Sequence, residues 1–229
     1  MWERTGVDYD IVIATYKREN MLRTLLQSIP KNIGNIFIYF DPYDKETWEK
    51  FKDDKDINII LLSDHVRGSI DVCNIHSKKF YNHNIILLTD DTECMPNCLE
   101  NAIKCFETTY PDTDGIVGLN QFEIKGRGGR CGFFIAGNKF IDRFENRELF
   151  YSGYYGLCCD TELAEVAEKL EKFTICNEAK IKHWHPVGEN KKNFIPDETR
   201  INAHKHDKED LKLFKQRMST GEFMNRVRK

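Results

Sequence analysis

Over the first 120 residues, short continuous apolar runs alternate with stretches whose apolar residues recur at helical spacing. The runs are "YDIVIAT" (9–15), "NIFIYF" (35–40), "INIILL" (57–62), "IILLT" (85–89) and "DGIVGLN" (114–120). Between them, "RENMLRTLLQSI" (18–29) sets Met21, Leu22, Leu25, Leu26 and Ile29 on one helical face and closes at Pro30. Further helices are expected over 44–53, 69–81 and 96–110, the last with Pro96 suited to a first turn. A strand apolar at every position is buried on both faces, so this pattern specifies an α/β fold with a mostly parallel central sheet flanked by helices. Ligands of such sheets lie beyond the carboxyl ends of the strands. Thr15-Tyr16-Lys17, Asp41 and Asp90-Asp91 all stand at those ends, which places them in one crevice.

The second half is less regular. "QFEIKGRGGRCGFFIAG" (121–137) reads as a strand pair around a basic glycine-rich loop, whose Lys125, Arg127 and Arg130 are suited to gripping an acidic acceptor or closing over a donor. "CDTELAEVAEKLEKF" (159–173) is a helix with Leu163, Val166, Ala167, Leu170 and Phe173 on one face, and a last helix is expected over 207–218. The length of 229 residues suits a single domain, with a nucleotide half over 1–120 and an acceptor half over 121–229 that ends in a basic tail. In that tail Lys212, Lys215, Arg217, Arg226, Arg228 and Lys229 face only Glu222, which reads as a solvated face or a contact with DNA or an anionic membrane.

A formal charge of -3 gives no global field to attract nucleic acid or membrane. No apolar run is long enough to span a bilayer, and the polar start lacks a secretory h-region. None of the eight cysteines forms a C-x-x-C pair, so reduced thiols packed as small hydrophobes are expected, and with them a cytoplasmic location (the host cytoplasm for a phage protein). Cys94, Cys98 and Cys105 do share a helix-face spacing. The Lys- and Asn-rich composition is compatible with a bacterial or phage source.

The acid pair in "LLTDDTECMP" is the point where chemistry enters. Adjacent carboxylates at the edge of a core repel each other unless a cation or a positive side chain offsets them. The first strand runs into "ATYKREN", without the glycines of a dinucleotide fold or phosphate loop, and "GRGGR" fits neither pattern. What remains is a sheet that offers carboxylates to its ligand. Beside phosphates, carboxylates call for a hard divalent cation such as Mg²⁺ or Mn²⁺, bound through one or two carboxylates and the diphosphate oxygens.

The segments "YDIVIATYKRENMLRTLLQSI", the strand ending at Asp41, "RGSIDVCNIHSKKF", "LLTDDTECMPNCLENAI" and "CCDTELAEVAEKL" stand in the order of a GT-A glycosyltransferase, and the chain from about 9 to 175 most resembles the inverting family 2 group. The resemblance implies a nucleoside diphosphate sugar donor, with a UDP-sugar preferred, whose base is cradled by Thr15 and Tyr16, with Lys17 also binding the donor. By the same resemblance Asp41 contacts the nucleoside, Asp90 the ribose and Asp91 the metal. Arg67 and Gly68 match the segment before the third helix, and Asn74 its helix asparagine. The family's catalytic base is the acid of an "ED" motif, here Asp160, with Cys159 in place of the glutamate and Glu162 as the alternative. "KHWHP" resembles a late histidine site for metal or diphosphate. There His183 and His185 alternate to one side and His185 is preferred, with Lys191 and Lys192 following.

The leading expectation is therefore a metal-dependent glycosyltransferase that moves a sugar from a nucleotide donor to a hydroxyl acceptor (a glycan, a protein or a modified DNA base). The alternatives are a nucleotidyltransferase acting on a sugar phosphate and a non-catalytic sugar-nucleotide-binding module.

Overall fold

The computed structural model describes residues 9–121, 130–184 and 198–228. The expected alternation is present: β1 (Tyr9–Thr15), α1 (Glu19–Ser28), β2 (Asn35–Phe40), α2 (Lys45–Phe51), β3 (Asn58–Leu61), α3 (Ser69–Lys79) and β4 (Asn84–Thr89). A short β5 (Thr92–Cys94) follows, then α4 (Cys98–Thr109), β6 (Ile116–Asn120), β7 (Phe134–Ala136), α5 (Asn138–Asp142), α6 (Cys159–Lys169), β8 (Phe173–His183), α7 (Glu198–His204) and α8 (Asp207–Thr220). They build one eight-stranded sheet in the order β3-β2-β1-β4-β7-β6-β8-β5. The first four strands are mutually parallel, whereas β7 runs antiparallel to both β4 and β6.

The double-sided burial that the apolar runs imply is visible residue by residue. Ile11 and Ile13 of β1 join Leu22, Leu25, Leu99 and Phe106 on one face of the sheet. Val12 between them joins Val72, Phe134, Leu163 and Val166 on the other. A run without alternation thus serves two cores, because successive side chains of a strand point to opposite faces.

β8 is the element that periodicity did not resolve. Its first residues pair in parallel with β6; the register then slips at Leu119/Asn120, and its last residues pair antiparallel with β5, with His183 opposite Thr92. One strand therefore leaves the main sheet and lays its end against the segment that carries the acid pair.

The amino-terminal edge holds a buried polar network. Asp10 accepts hydrogen bonds from Asn35 (3.0 Å) and meets His76 and His83 (2.9 Å each), and the other nitrogen of His76 meets Tyr39 Oη at 2.8 Å. Burial alone would raise the Asp10 carboxyl, but these partners outweigh it and hold it below the usual carboxylate range; burial also pushes the His76 imidazole down. The signs agree. A group whose pKa is lower in the folded state binds more protons when unfolded, so its stabilisation is present above the unfolded pKa and is lost as pH falls. Stability should decline on acidification from about pH 6.5, where unfolded histidine charges, and again below about pH 4. A denaturant titration across pH should show both steps, with Asp10→Asn removing the second.

The carboxyl-terminal tail does not form a free basic face. Arg217 and Arg226 turn inward onto the fully buried Glu162: Arg217 Nε and Nη2 donate at 2.7 and 3.0 Å, and Arg226 Nε lies 3.7 Å away. Arg226 also donates to the carbonyls of Glu148 and Leu149, and Phe144 forms a β-bridge with Val227. Two of the expected surface cations are thus internal ties, because Glu162 needs them. Lys212 and Lys215 are exposed. All eight cysteines are free thiols, and all but Cys105 are buried.

Candidate functional site

The turn between β4 and β5 brings Asp90 and Asp91 beside the end of β1. Both carboxylates are nearly inaccessible, at 4% and 6% exposure. Arg18, the residue before α1, lies across them: its Nη1 donates to Asp90 Oδ1 at 3.0 Å and to Asp91 Oδ2 at 3.2 Å. Tyr16 N donates to Asp90 Oδ2 at 3.4 Å. The positive partner that an isolated acid pair demands is therefore an arginine of the chain itself. Sequence reading passed over Arg18, and its only signal was a second basic residue after Lys17 at a strand end.

The two acids differ in environment. Burial raises Asp90, with Asp91 adding to it and Arg18 opposing. Asp91 is also buried, yet it is held well below the usual range by His183, Arg18 and the Thr89 hydroxyl, which donates at 2.7 Å. Asp91 is thus the more acidic of the two. His183 Nε2 stands 3.5 Å from Asp91 Oδ1, while its Nδ1 faces Gln121 Oε1 at 3.3 Å. The ring thus lies between Gln121 and the acid pair, with one nitrogen turned toward each.

These residues fit a divalent cation. Asp91 and His183 bring one carboxylate oxygen and one imidazole nitrogen within 3.5 Å of each other, two ligands that a divalent cation could share. Among the described residues no group of three or more His, Cys, Asp or Glu side chains forms a cage. Two protein ligands suffice where a diphosphate fills other positions. The buried Thr15 hydroxyl stands at the end of β1 beside the Asp90 carboxyl. His185, the histidine expected at the metal, lies outside the described residues, as do Lys125, Arg127, Lys191 and Lys192.

A neighbouring cluster forms beyond β1 and β2. Lys17 adopts a left-handed φ of 55° and its N–H donates to Asp44 Oδ2 at 2.6 Å, while its amine reaches Glu198 of α7 at 2.8 Å. Asp41 is buried, accepts from Tyr43 N at 2.9 Å and meets His65 Nδ1 at 2.5 Å. An open cavity of about 550 Å³ runs along Lys17, Arg18, Tyr43, Asp44 and Thr47.

The other expected residues are placed apart. Arg67 binds Asp71 through its main chain and guanidinium and donates to the carbonyls of Ser152 and Tyr154, so it ties the β3–α3 loop to the segment before α6. Asn74 exchanges two hydrogen bonds with the Phe150 backbone and packs as a buried strut. Arg130 is ion-paired with Glu165 and Glu168 along α6. Asp160 is the second residue of α6, half-buried, and accepts from Thr161 N at 2.8 Å; burial raises its carboxyl. No hydrogen bond or ion pair joins Asp160 to the acid pair among the described residues. Glu162, the alternative base, is enclosed by Tyr154, Arg217 and Arg226.

No family model matches the sequence, and no curated protein does. Solved structures match in fold. S. aureus TarS 1-349 in complex with UDP superposes with a TM-score of 0.57 at 14% identity, over 92% of this chain and 71% of that one. The same protein with UDP-GlcNAc gives 0.56 at 13%, over 82% and 62%. Mannosyltransferase PcManGT from Pyrobaculum calidifontis, in complex with GDP-Man and Mn2+, gives 0.55 at 12%, over 80% and 58%. This chain spans 43% of the longer TarS structure. These neighbours are GT-A-type glycosyltransferases, and the fold of this protein is theirs: a helix-flanked mixed α/β sheet.

Proposed function

We propose that the protein is a metal-dependent glycosyltransferase that transfers a sugar from a nucleoside diphosphate donor to a hydroxyl acceptor with inversion. The observation that carries this reading is the meeting of Asp90, Asp91, Arg18 and His183 at the carboxyl ends of β1 and β4, in a fold whose solved members hold UDP, UDP-GlcNAc or GDP-Man. Asp91 and His183 would hold Mn²⁺ or Mg²⁺, which when bound supplies charge stabilisation for the departing diphosphate. Asp41 and the exposed Tyr43 border the place for the base and nucleoside, and Thr15, Tyr16 and Asp90 that for the ribose. Arg18, already desolvated against the acids, adds a fixed positive charge beside the diphosphate. Arg67 contributes by joining the donor-side loop to the segment before α6. Asp160 takes the acceptor hydroxyl's proton as it attacks the anomeric carbon opposite the leaving group, and its buried position suits a base stronger than a solvated carboxylate. A UDP-sugar is the preferred donor, and a glycan, a protein or a modified DNA base the acceptor.

The reading is tested by thermal shift with UDP-GlcNAc and GDP-mannose, each with and without Mn²⁺, together with release of the nucleoside diphosphate. A donor at 100 times its dissociation constant should stabilise by about 2.7 kcal/mol. Asp91→Asn should lose the metal-dependent part of that shift and keep the parental fold, since Arg18 still pairs with Asp90. A variant that still gains stability from donor plus Mn²⁺ as the parent does would remove Asp91 from the metal site.

A further inference from the structure

α8 carries a buried carboxylate that the reaction described above does not use. Asp210 is 1% exposed, and among the described residues no lysine or arginine is ion-paired with it. Its oxygens instead receive three consecutive backbone N–H groups: Tyr155 at 2.9 and 3.2 Å, Gly156 at 2.8 Å and Leu157 at 2.8 Å. Successive N–H groups turned inward form an anion-binding concavity, and a carboxylate seated in it makes charge-assisted bonds that dictate the backbone path. The chain passes from this turn through Cys158, at a left-handed φ of 68°, directly into α6 and Asp160. No side chain caps α6, so the direction in which the helix and Asp160 leave the turn is set by the residues before it. The same segment is gripped from the other side by Arg67, through the Ser152 and Tyr154 carbonyls, and the Tyr155 ring stacks on His206 with centroids 3.8 Å apart.

We propose that Asp210 is a positioning residue for sugar transfer: seated on the amides of residues 155–157, it fixes the turn that aims Asp160, so α8 is part of the catalytic arrangement. This rests on the transferase reading and on Asp160 as its base. An amide at this position keeps one acceptor oxygen but loses the charge and turns its NH2 toward one of these N–H groups, loosening the turn while leaving the donor crevice of β1, β2 and β4 intact.

The test measures Asp210→Asn for Mn²⁺-dependent hydrolysis of UDP-GlcNAc and GDP-mannose and for hydrogen exchange of the backbone. Because a displacement of about 1 Å costs on the order of a hundredfold, kcat should fall between about tenfold and a hundredfold, with the donor KM unchanged within about twofold. Amides 155–161 should lose protection while those of β1 and β4 keep theirs. Asp114→Asn serves as the control: it removes another carboxylate, bonded to Arg143 and Lys172, and should leave kcat unchanged. Asp210→Glu keeps the charge and should recover part of the lost rate. The proposal is overturned by parental kcat in Asp210→Asn, by an equal loss in the Asp114 control, or by unchanged protection at 155–161. A parent that hydrolyses neither donor overturns the transferase reading itself and the catalytic part of this proposal, whatever the exchange shows.

Discussion

Asp160→Asn should lower sugar transfer, or donor hydrolysis where no acceptor is supplied, by at least about a hundredfold while leaving the melting temperature close to that of the parent. In the folded chain the carboxylate accepts locally from Thr161 N at 2.8 Å and from the Thr161 hydroxyl at 3.4 Å, and an amide oxygen accepts both equally well. As a cap it would contribute on the order of 1 kcal/mol, and the isosteric amide keeps most of that. The charge, by contrast, is costly, because burial raises this carboxyl. A raised carboxyl binds more protons folded than unfolded, so its ionisation lowers stability as pH rises through the folded pKa. The Asn variant should then be as stable as the parent at acid pH and at least as stable at neutral pH. The parent's activity should fall as pH drops through that same raised pKa, above the ordinary carboxylate range. Transfer by the Asn variant at near-parental rate would make Asp160 a helix residue only, and the inverting mechanism would fall with it.

Glu162→Gln should have the opposite profile, with a large loss of stability as the primary effect. Glu162 is fully buried and holds Tyr154 Oη at 2.7 Å together with Arg217 and Arg226. Removing one partner of a buried ion pair costs about 3–5 kcal/mol, since the remaining charges are left without compensation. Against a total of about 5–15 kcal/mol for a natural protein that is a large share, and it corresponds to a fall in Tm on the order of 10 °C. Truncation after residue 211 removes Arg217, Phe223 and Arg226 together, and should leave no cooperative unfolding transition near the parental one. Calorimetry of both variants decides this. If the truncated chain melts as the parent does, the tail is a surface appendage after all, and salt-dependent binding to duplex DNA again becomes the measurement of interest.

How much of this was legible in the chain follows from range. The parallel half of the sheet was, because a strand apolar at every position, such as Ile11-Val12-Ile13, can only be buried on both faces. The placement of these residues at the strand ends was legible for the same reason: strand ends are set by where apolar runs stop, and Thr15, Asp41 and Asp90-Asp91 stand where β1, β2 and β4 stop. That two adjacent carboxylates at such an end require a positive partner was also fixed locally, by Coulomb's law over one peptide unit.

Which group supplies that charge was decided only in three dimensions. Arg18 is 72 residues from Asp90 and meets it because β1 and β4 are hydrogen-bonded neighbours. His183 reaches Asp91 because β8 slips register and turns its end against β5, an event with no signature in the periodicity of "TICNEAKIKHWHP". The roles of the acids in "CDTEL" divided likewise. Asp160 and Glu162 are two residues apart on one helix, yet Asp160 accepts from its neighbour Thr161 while Glu162 is enclosed by Tyr154 and the carboxyl-terminal arginines. A sequence states which charges are present and where the backbone leaves the core. Pairing energies depend on distance and on exclusion of water, and both are set by strand order and helix packing rather than by position along the chain.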